Sequence, residues 1–212
     1  VQDLYEIADR TGKEKVILLG QSWGAMLATE FAAAHPEKIE KLIFTSPGPI
    51  LPVKEALTNQ KAPDSLQLRQ PFFSNQDGNK KMAGVRTDII RFFAINLNIR
   101  LASDKEMDWY ASKLAFETGK STVCDTSLTN SFEAGSGYYC MIKTVQSFAQ
   151  VSDKRNELRK IQVPVLIMKG QCDNIKWGLT AEYLSLFRNS RFVAVPNAGH
   201  GIGTEQPEIY LK

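Results

Sequence analysis

Apolar and polar positions change rhythm sharply at one point near the start of the chain. Val16-Ile17-Leu18-Leu19 is a continuous apolar run of strand length, β-branched at its start, and predicts a short buried strand. From Trp23 onward the residues are helix formers: Ala25, Met26, Leu27, Ala28, Glu30, Phe31 and three alanines, stopped by Pro36. Upstream, "VQDLYEIADRTGKEK" sets Leu4, Ile7 and Ala8 on one helical face, with Gly12 as a stop. Downstream, "IEKLIFTSP" reads as a second strand. "VPVLIMKG" and "RFVAVP" read as two more, with "TAEYLSLFRNS" as an amphipathic helix between them. Strands alternating with helices predict an α/β fold built on a parallel sheet.

That alternation is interrupted between residues 51 and 160. "PGPILPVKEALTNQKAPD" and "QPFFSNQDGNKK" are rich in proline and polar residues and read as loops. "VRTDIIRFFAINLNIRLA", "KEMDWYASKLAFETG" and "GYYCMIKTVQSFAQV" carry helical patterns. The chain therefore divides into a first core segment (1–50), a mostly helical insertion (51–160) and a second core segment (161–212).

Composition narrows the function classes. At 212 residues the chain is long enough for one substantial core. A net charge of +3, evenly spread, is too small to suggest nucleic acid, and "DKRNELRK" reads as a solvated helix face. No apolar run approaches the ~20 residues needed to span a bilayer. The three cysteines, Cys124, Cys140 and Cys172, match neither a zinc spacing nor a disulfide framework and favour a reducing, cytoplasmic compartment.

The chemistry concentrates at the change of rhythm. A serine on a sharp strand-to-helix turn has its hydroxyl thrown outward, and the crowded backbones admit only small neighbours two residues to either side. Gly20-Gln21-Ser22-Trp23-Gly24 meets that demand in the strand–turn–helix context of a nucleophile elbow. A serine needs a base, and the base an orienting carboxylate. Only His35 and His200 are available. His35 ends the helix after the elbow, an ordinary helix-terminal position. His200 lies past a strand in "VPNAGHGIGTEQPE", where small residues let an imidazole reach over the sheet edge. The acid should follow the serine and precede the histidine. Asp173, just beyond "VLIMKG", fits, whereas Asp153 in "SDKRNELRK" reads as a helix N-cap. No metal-ligand cluster is present, and the elbow lacks the lysine of a phosphate-binding loop, so no cofactor is expected.

Together "GQSWGAMLATEFAAAHPEKIEKLIFTSPGP", "VPVLIMKGQCDNI" and "VPNAGHGIGTEQPE" resemble the α/β-hydrolase superfamily. The Gly-x-Ser-Trp-Gly elbow is similar to that of its proline iminopeptidase-like branch. The resemblance implies Ser22 as nucleophile, His200 as general base and acid, Asp173 as orienting acid, and the Trp23 backbone N–H as one oxyanion donor. The insertion would then be a cap over a pocket for a small-molecule or short-peptide substrate. Glu133, in "TNSFEAGSGYYC", is the position to test for binding a substrate amino terminus. The cap aromatics, among them Phe72, Phe73, Phe92, Trp109, Phe132 and Tyr138, either line an apolar pocket or form the cap's own core. Carboxylesterase or lipase-like activity, and a non-catalytic ligand-binding homologue, are the competing readings. Haloalkane chemistry on this fold would require an aspartate at position 22. The superfamily's elbow strand normally follows several strands and a glycine-rich loop supplying the second oxyanion donor. No such segment precedes Ser22 here, so an amino-terminal part of the same protein is expected, and the elbow strand is expected to present an apolar edge.

Overall fold

The computed structural model describes residues 1–70, 75–128 and 137–212. In chain order its main elements begin with α1 (Gln2–Arg10), β1 (Val16–Ser22), α2 (Trp23–Ala34) and β2 (Ile39–Pro47). Next come α3 (Asn75–Met82), α4 (Val85–Phe92), α5 (Asp104–Gly119) and α6 (Tyr138–Ser147). The remainder is α7 (Arg155–Leu158), β3 (Val165–Gly170), α8 (Trp177–Leu186), β4 (Ser190–Val195), α9 (Ile202–Glu205) and α10 (Pro207–Tyr210). They form two compact units, Val1–Gln70 with Ser152–Lys212, and Pro71–Val151. The helical insertion is therefore shorter than the expected 51–160. Residues 51–70 and 152–160 belong with the sheet.

In the first unit the strands run in the order β1-β2-β3-β4, all parallel. Their carboxyl ends consequently share one edge of the sheet. The core holds Phe31 of α2, Leu42 and Phe44 of β2, Ile167 of β3, and Tyr183 and Phe187 of α8, all fully buried. The Phe44 and Tyr183 rings meet edge-on with centroids 4.9 Å apart. β1 lies at the edge of the sheet, and it is not the buried strand its continuous apolar run suggests: Ile17 and Leu19, on one face, are 50% and 53% exposed.

Further local expectations need correction. On α1 the core-facing positions are Leu4, Tyr5 and Ala8, while Ile7 is 63% exposed. α8 is not amphipathic, because Thr180 and Glu182 are buried along with its apolar residues. The basic cluster is solvated at Asn156, Glu157, Arg159 and Lys160, but Arg155 departs from that face and is buried at the start of α7. Arg155 Nε and Nη2 donate to Glu182 at 2.7 and 3.1 Å, and Nη2 also donates to the carbonyls of Ile50 and Pro52, each at 3.0 Å. A buried guanidinium with partners on each side is stable where a lone one would not be. It ties the chain after β2 to the chain leading into β3. Asp153 is not the N-cap, a position that Lys154 holds; it stands one residue earlier and accepts the Arg155 N–H at 3.0 Å.

The second unit is a helical cluster around Ile90, Met107, Ala111, Tyr138, Tyr139 and Ile142. Ser103 caps α5 by accepting the Glu106 N–H at 3.2 Å. Tyr138 and Tyr139 are core residues, whereas Phe92 and Trp109 are about half exposed. Cys140 carries a free thiol; neither Cys124 nor Cys172 is free, which removes the basis for preferring a reducing compartment.

Candidate active site

The site assembles at the carboxyl edge of the sheet, where open α/β sheets place their ligands. Ser22 is the last residue of β1 and directly precedes α2, with φ 52° and ψ −117°. Such a backbone costs a non-glycine residue of order 1–3 kcal/mol and persists only where its surroundings enforce it. Two neighbours do so. The Ser22 carbonyl accepts the Gly48 N–H at 3.1 Å, and the β1–β2 register shifts between Gln21 and Ser22. A Cβ at Gly20 would stand 2.6 Å from the Gly24 carbonyl oxygen, so glycine is required there. Gly24 differs from expectation. A Cβ on it would meet nothing within 4 Å among the described residues, so crowding does not explain the second glycine. Trp23 opens α2, and its backbone N–H has no acceptor within the helix.

Asp173 follows β3 and His200 follows β4. His200 Nδ1 and Asp173 Oδ1 are 2.9 Å apart, and the Asp173 side chain is fully buried. The approach of the two loops depends on Gly170, where an added Cβ would fall 2.0 Å from the Gly199 carbonyl oxygen. Asp173 Oδ1 also accepts the Ile175 N–H at 3.1 Å. Burial alone would push the Asp173 carboxyl up. The His200 hydrogen bond and the Lys169 ammonium outweigh it and hold the group below the usual aspartate range.

Gln21 Nε2 donates to the His200 carbonyl at 3.1 Å, which sets the histidine loop beside the elbow. The Glu205 carboxylate accepts the Gly199 N–H one residue before the histidine. Among the described residues, no hydrogen bond joins the Ser22 hydroxyl to the imidazole. His35 is elsewhere. It caps the carboxyl end of α2, 4.6 Å from the Tyr5 ring and 5.2 Å from the Phe31 ring. A 12-residue helix separates it from Ser22 by ~18 Å. Glu133, Phe72, Phe73 and Phe132 lie outside the described residues.

Sequence reasoning missed Lys169, Gln21 and Glu205. Lys169 had a legible signal, a charge at the end of an otherwise apolar strand. Gln21 and Glu205 had none, since one fills a variable position of the elbow pattern and the other ends the one-turn helix α9 within a polar stretch. No group of three or more metal-ligating side chains occurs among the described residues. No described helix is long and apolar enough to cross a membrane.

A parallel sheet with an elbow serine ending its first strand, and a buried Asp173 bonded to a part-buried His200 in the loops after its last two, is the arrangement of the α/β hydrolases. Residues 1–207 match the family described as alpha/beta hydrolase fold, and the chain belongs to it. A putative 2-succinyl-6-hydroxy-2,4-cyclohexadiene-1-carboxylate synthase of Bacillus subtilis (strain 168) is 26% identical over 212 residues, covering 100% of this chain and 69% of the relative. A proline iminopeptidase of Heyndrickxia coagulans is 23% identical over 214 residues, with the same coverage of both chains. Among solved structures, an alpha/beta fold family hydrolase from Bacillus anthracis str. Sterne superimposes with TM-score 0.57 at 17% identity, covering 99% of this chain and 69% of that one.

Proposed function

We propose that the protein is a serine hydrolase that cleaves a small amide or ester through an acyl-enzyme intermediate. The observation that carries the reading is the 2.9 Å Asp173–His200 bond at the same sheet edge as the strained Ser22. In this mechanism Asp173 holds the His200 tautomer with its proton on Nδ1, leaving Nε2 free to accept the Ser22 hydroxyl proton. Ser22 Oγ attacks the substrate carbonyl, and the Trp23 N–H stabilises the oxyanion. His200 then gives the proton to the leaving amine or alcohol, and water repeats the sequence to release the acid. Serine and histidine in resting enzymes are often looser than in the reacting complex, which accommodates the missing Ser22–His200 hydrogen bond.

The substrate is read from the relatives and from charge. The Heyndrickxia relative is a proline iminopeptidase. Another relative, 26% identical over 186 residues, is the pimeloyl-[acyl-carrier protein] methyl ester esterase of Neisseria meningitidis serogroup A / serotype 4A (strain DSM 15465 / Z2491), covering 86% of this chain and 50% of the relative. An aminopeptidase with Glu133 as receptor for the substrate ammonium is the preferred reading. The test is the rate on free aminoacyl anilides against their N-acetylated forms, alongside Ser22 labelling by a fluorophosphonate. Faster cleavage of the free amine supports the aminopeptidase; equal rates point to an esterase. A folded protein whose Ser22 takes no label would be a ligand-binding member of the family instead.

A further inference from the structure

Lys169 is a charge in the wrong place for a strand residue. It lies on β3, four residues before Asp173, and its side chain is 2% exposed. An apolar residue would fill that volume without the several kcal/mol needed to strip water from an ammonium. Burial pulls the Lys169 ammonium below the usual lysine range, and Asp173 restores part of what burial takes. The lysine is held by specific bonds: Nζ donates to Asp173 Oδ2 at 2.9 Å and to the Ile175 carbonyl at 2.7 Å. The two oxygens of Asp173 are therefore divided. Oδ1 faces the imidazole and the Ile175 N–H, and Oδ2 faces the ammonium.

A carboxylate shared in this way has less charge to give its histidine. Alone, Asp173 would favour the imidazolium strongly; beside a fixed ammonium, the pair is nearly neutral as seen from the ring. Resting on the catalytic reading above, we infer that Lys169 is a positioning residue, orienting the Asp173 carboxylate and moderating the basicity of His200.

Other charged groups near the pair stay constant in the test. Lys61, Arg69 and Lys176 line, with Lys169 and Asp173, a cavity of about 340 Å³, and Glu205 faces the histidine loop from α9. The cavity matters to the choice of variant, because water can replace the end of a shortened side chain there.

The chain has two histidines, so in a His35→Gln background the remaining imidazole signal belongs to His200. Its titration is followed by NMR in that background, alone and with Lys169→Gln, Lys169→Met or Lys169→Arg. Gln keeps a donor for Oδ2 without charge, and loss of the charge should raise the His200 pKa by roughly 1.5–2 units at an effective dielectric near 20. The acid limb of kcat/KM should move up in parallel. Lys169→Arg, which keeps the charge, should leave the titration nearer the parent, and Lys169→Met serves the same comparison if the Gln variant does not fold. A His200 titration unchanged in both Gln and Met variants would overturn the inference and leave Lys169 a structural residue. Because the NMR readout needs no turnover, it stays separate from a failure of the serine-hydrolase reading, which would show as an unlabelled Ser22.

Discussion

Gln21 Nε2 holds the His200 carbonyl at 3.1 Å, joining residues 179 positions apart. The bond links the first strand of the sheet to the loop after the last, and it lies one residue from the elbow serine. Removing it should loosen the histidine without touching the chemistry directly. Gln21→Ala is expected to lower kcat/KM roughly fivefold, the equivalent of one net hydrogen bond of about 1 kcal/mol, with Tm little changed. Steady-state kinetics and a thermal melt on the same preparation check it. An unchanged kcat/KM would mean that the loop is held by Glu205 and the Asp173 bond alone.

Ser22 should show an inverted order of stability. Its φ of 52° with ψ of −117° suits glycine and strains any residue with a Cβ. Ser22→Gly releases strain of about 1–3 kcal/mol, less the entropy glycine adds to the unfolded chain, whereas Ser22→Ala keeps the strain. Both variants should lose turnover by several orders of magnitude, as serine removal does in other triads. Denaturant unfolding should nonetheless place Ser22→Gly above Ser22→Ala by about 1 kcal/mol, against the usual preference for alanine. If alanine proves the more stable, the elbow is not strained in solution.

These two positions also show where the sequence is legible. The elbow could be read because its demands are local: a strand end, a helix start and a glycine at position 20 all fall within a few residues. Asp173 and His200 could be read for a similar reason, each standing just past an apolar strand of recognisable pattern. Gln21 and Arg155 could not, because their roles depend on partners 179 and 27 positions away. Nothing in "DKRNELRK" distinguishes an arginine that finds Glu182 on α8 from one that points to water. The same blindness placed the insertion boundary at residue 51, since the bonds binding Ile50 and Pro52 to the sheet unit come from Arg155.

Arg155 and Glu182 provide a stability test. Both side chains are nearly fully buried, at 3% and 6% exposure. Arg155→Met leaves a buried carboxylate without its guanidinium and frees the carbonyls of Ile50, Leu51 and Pro52, and should cost about 3–5 kcal/mol. The double variant Arg155→Met/Glu182→Leu removes the stranded charge and should recover much of that loss. Chemical denaturation of the two single variants and the double one yields the coupling directly. Additive losses would show that the pair is not coupled in the folded protein.

The last prediction concerns alkaline pH. Tyr183 is fully buried beneath Phe44, and its hydroxyl donates to the carbonyl of Gly48, the residue just past the end of β2, at 2.9 Å. Burial first, and the nearby Glu182 carboxylate second, push its phenol far above the ordinary value of 10. A folded-state pKa above the unfolded one means that the native state binds the proton more tightly. The stabilisation is therefore complete below pH 10 and declines as pH rises from there toward the folded value. The decline approaches 1.4 kcal/mol per pH unit, so about that much is lost by pH 11. Tyr183→Phe lacks both the hydrogen bond and the titration. It should be about 1 kcal/mol less stable than the parent at pH 9. Tyr110 and Tyr138, whose phenols burial also raises, titrate in both proteins and cancel in the comparison. Urea unfolding at pH 9, 10 and 11 should thus show the gap between parent and variant closing and then reversing. A gap that stays constant across that range would mean that Tyr183 ionises in the folded protein as easily as in the unfolded chain, contradicting its burial under Phe44.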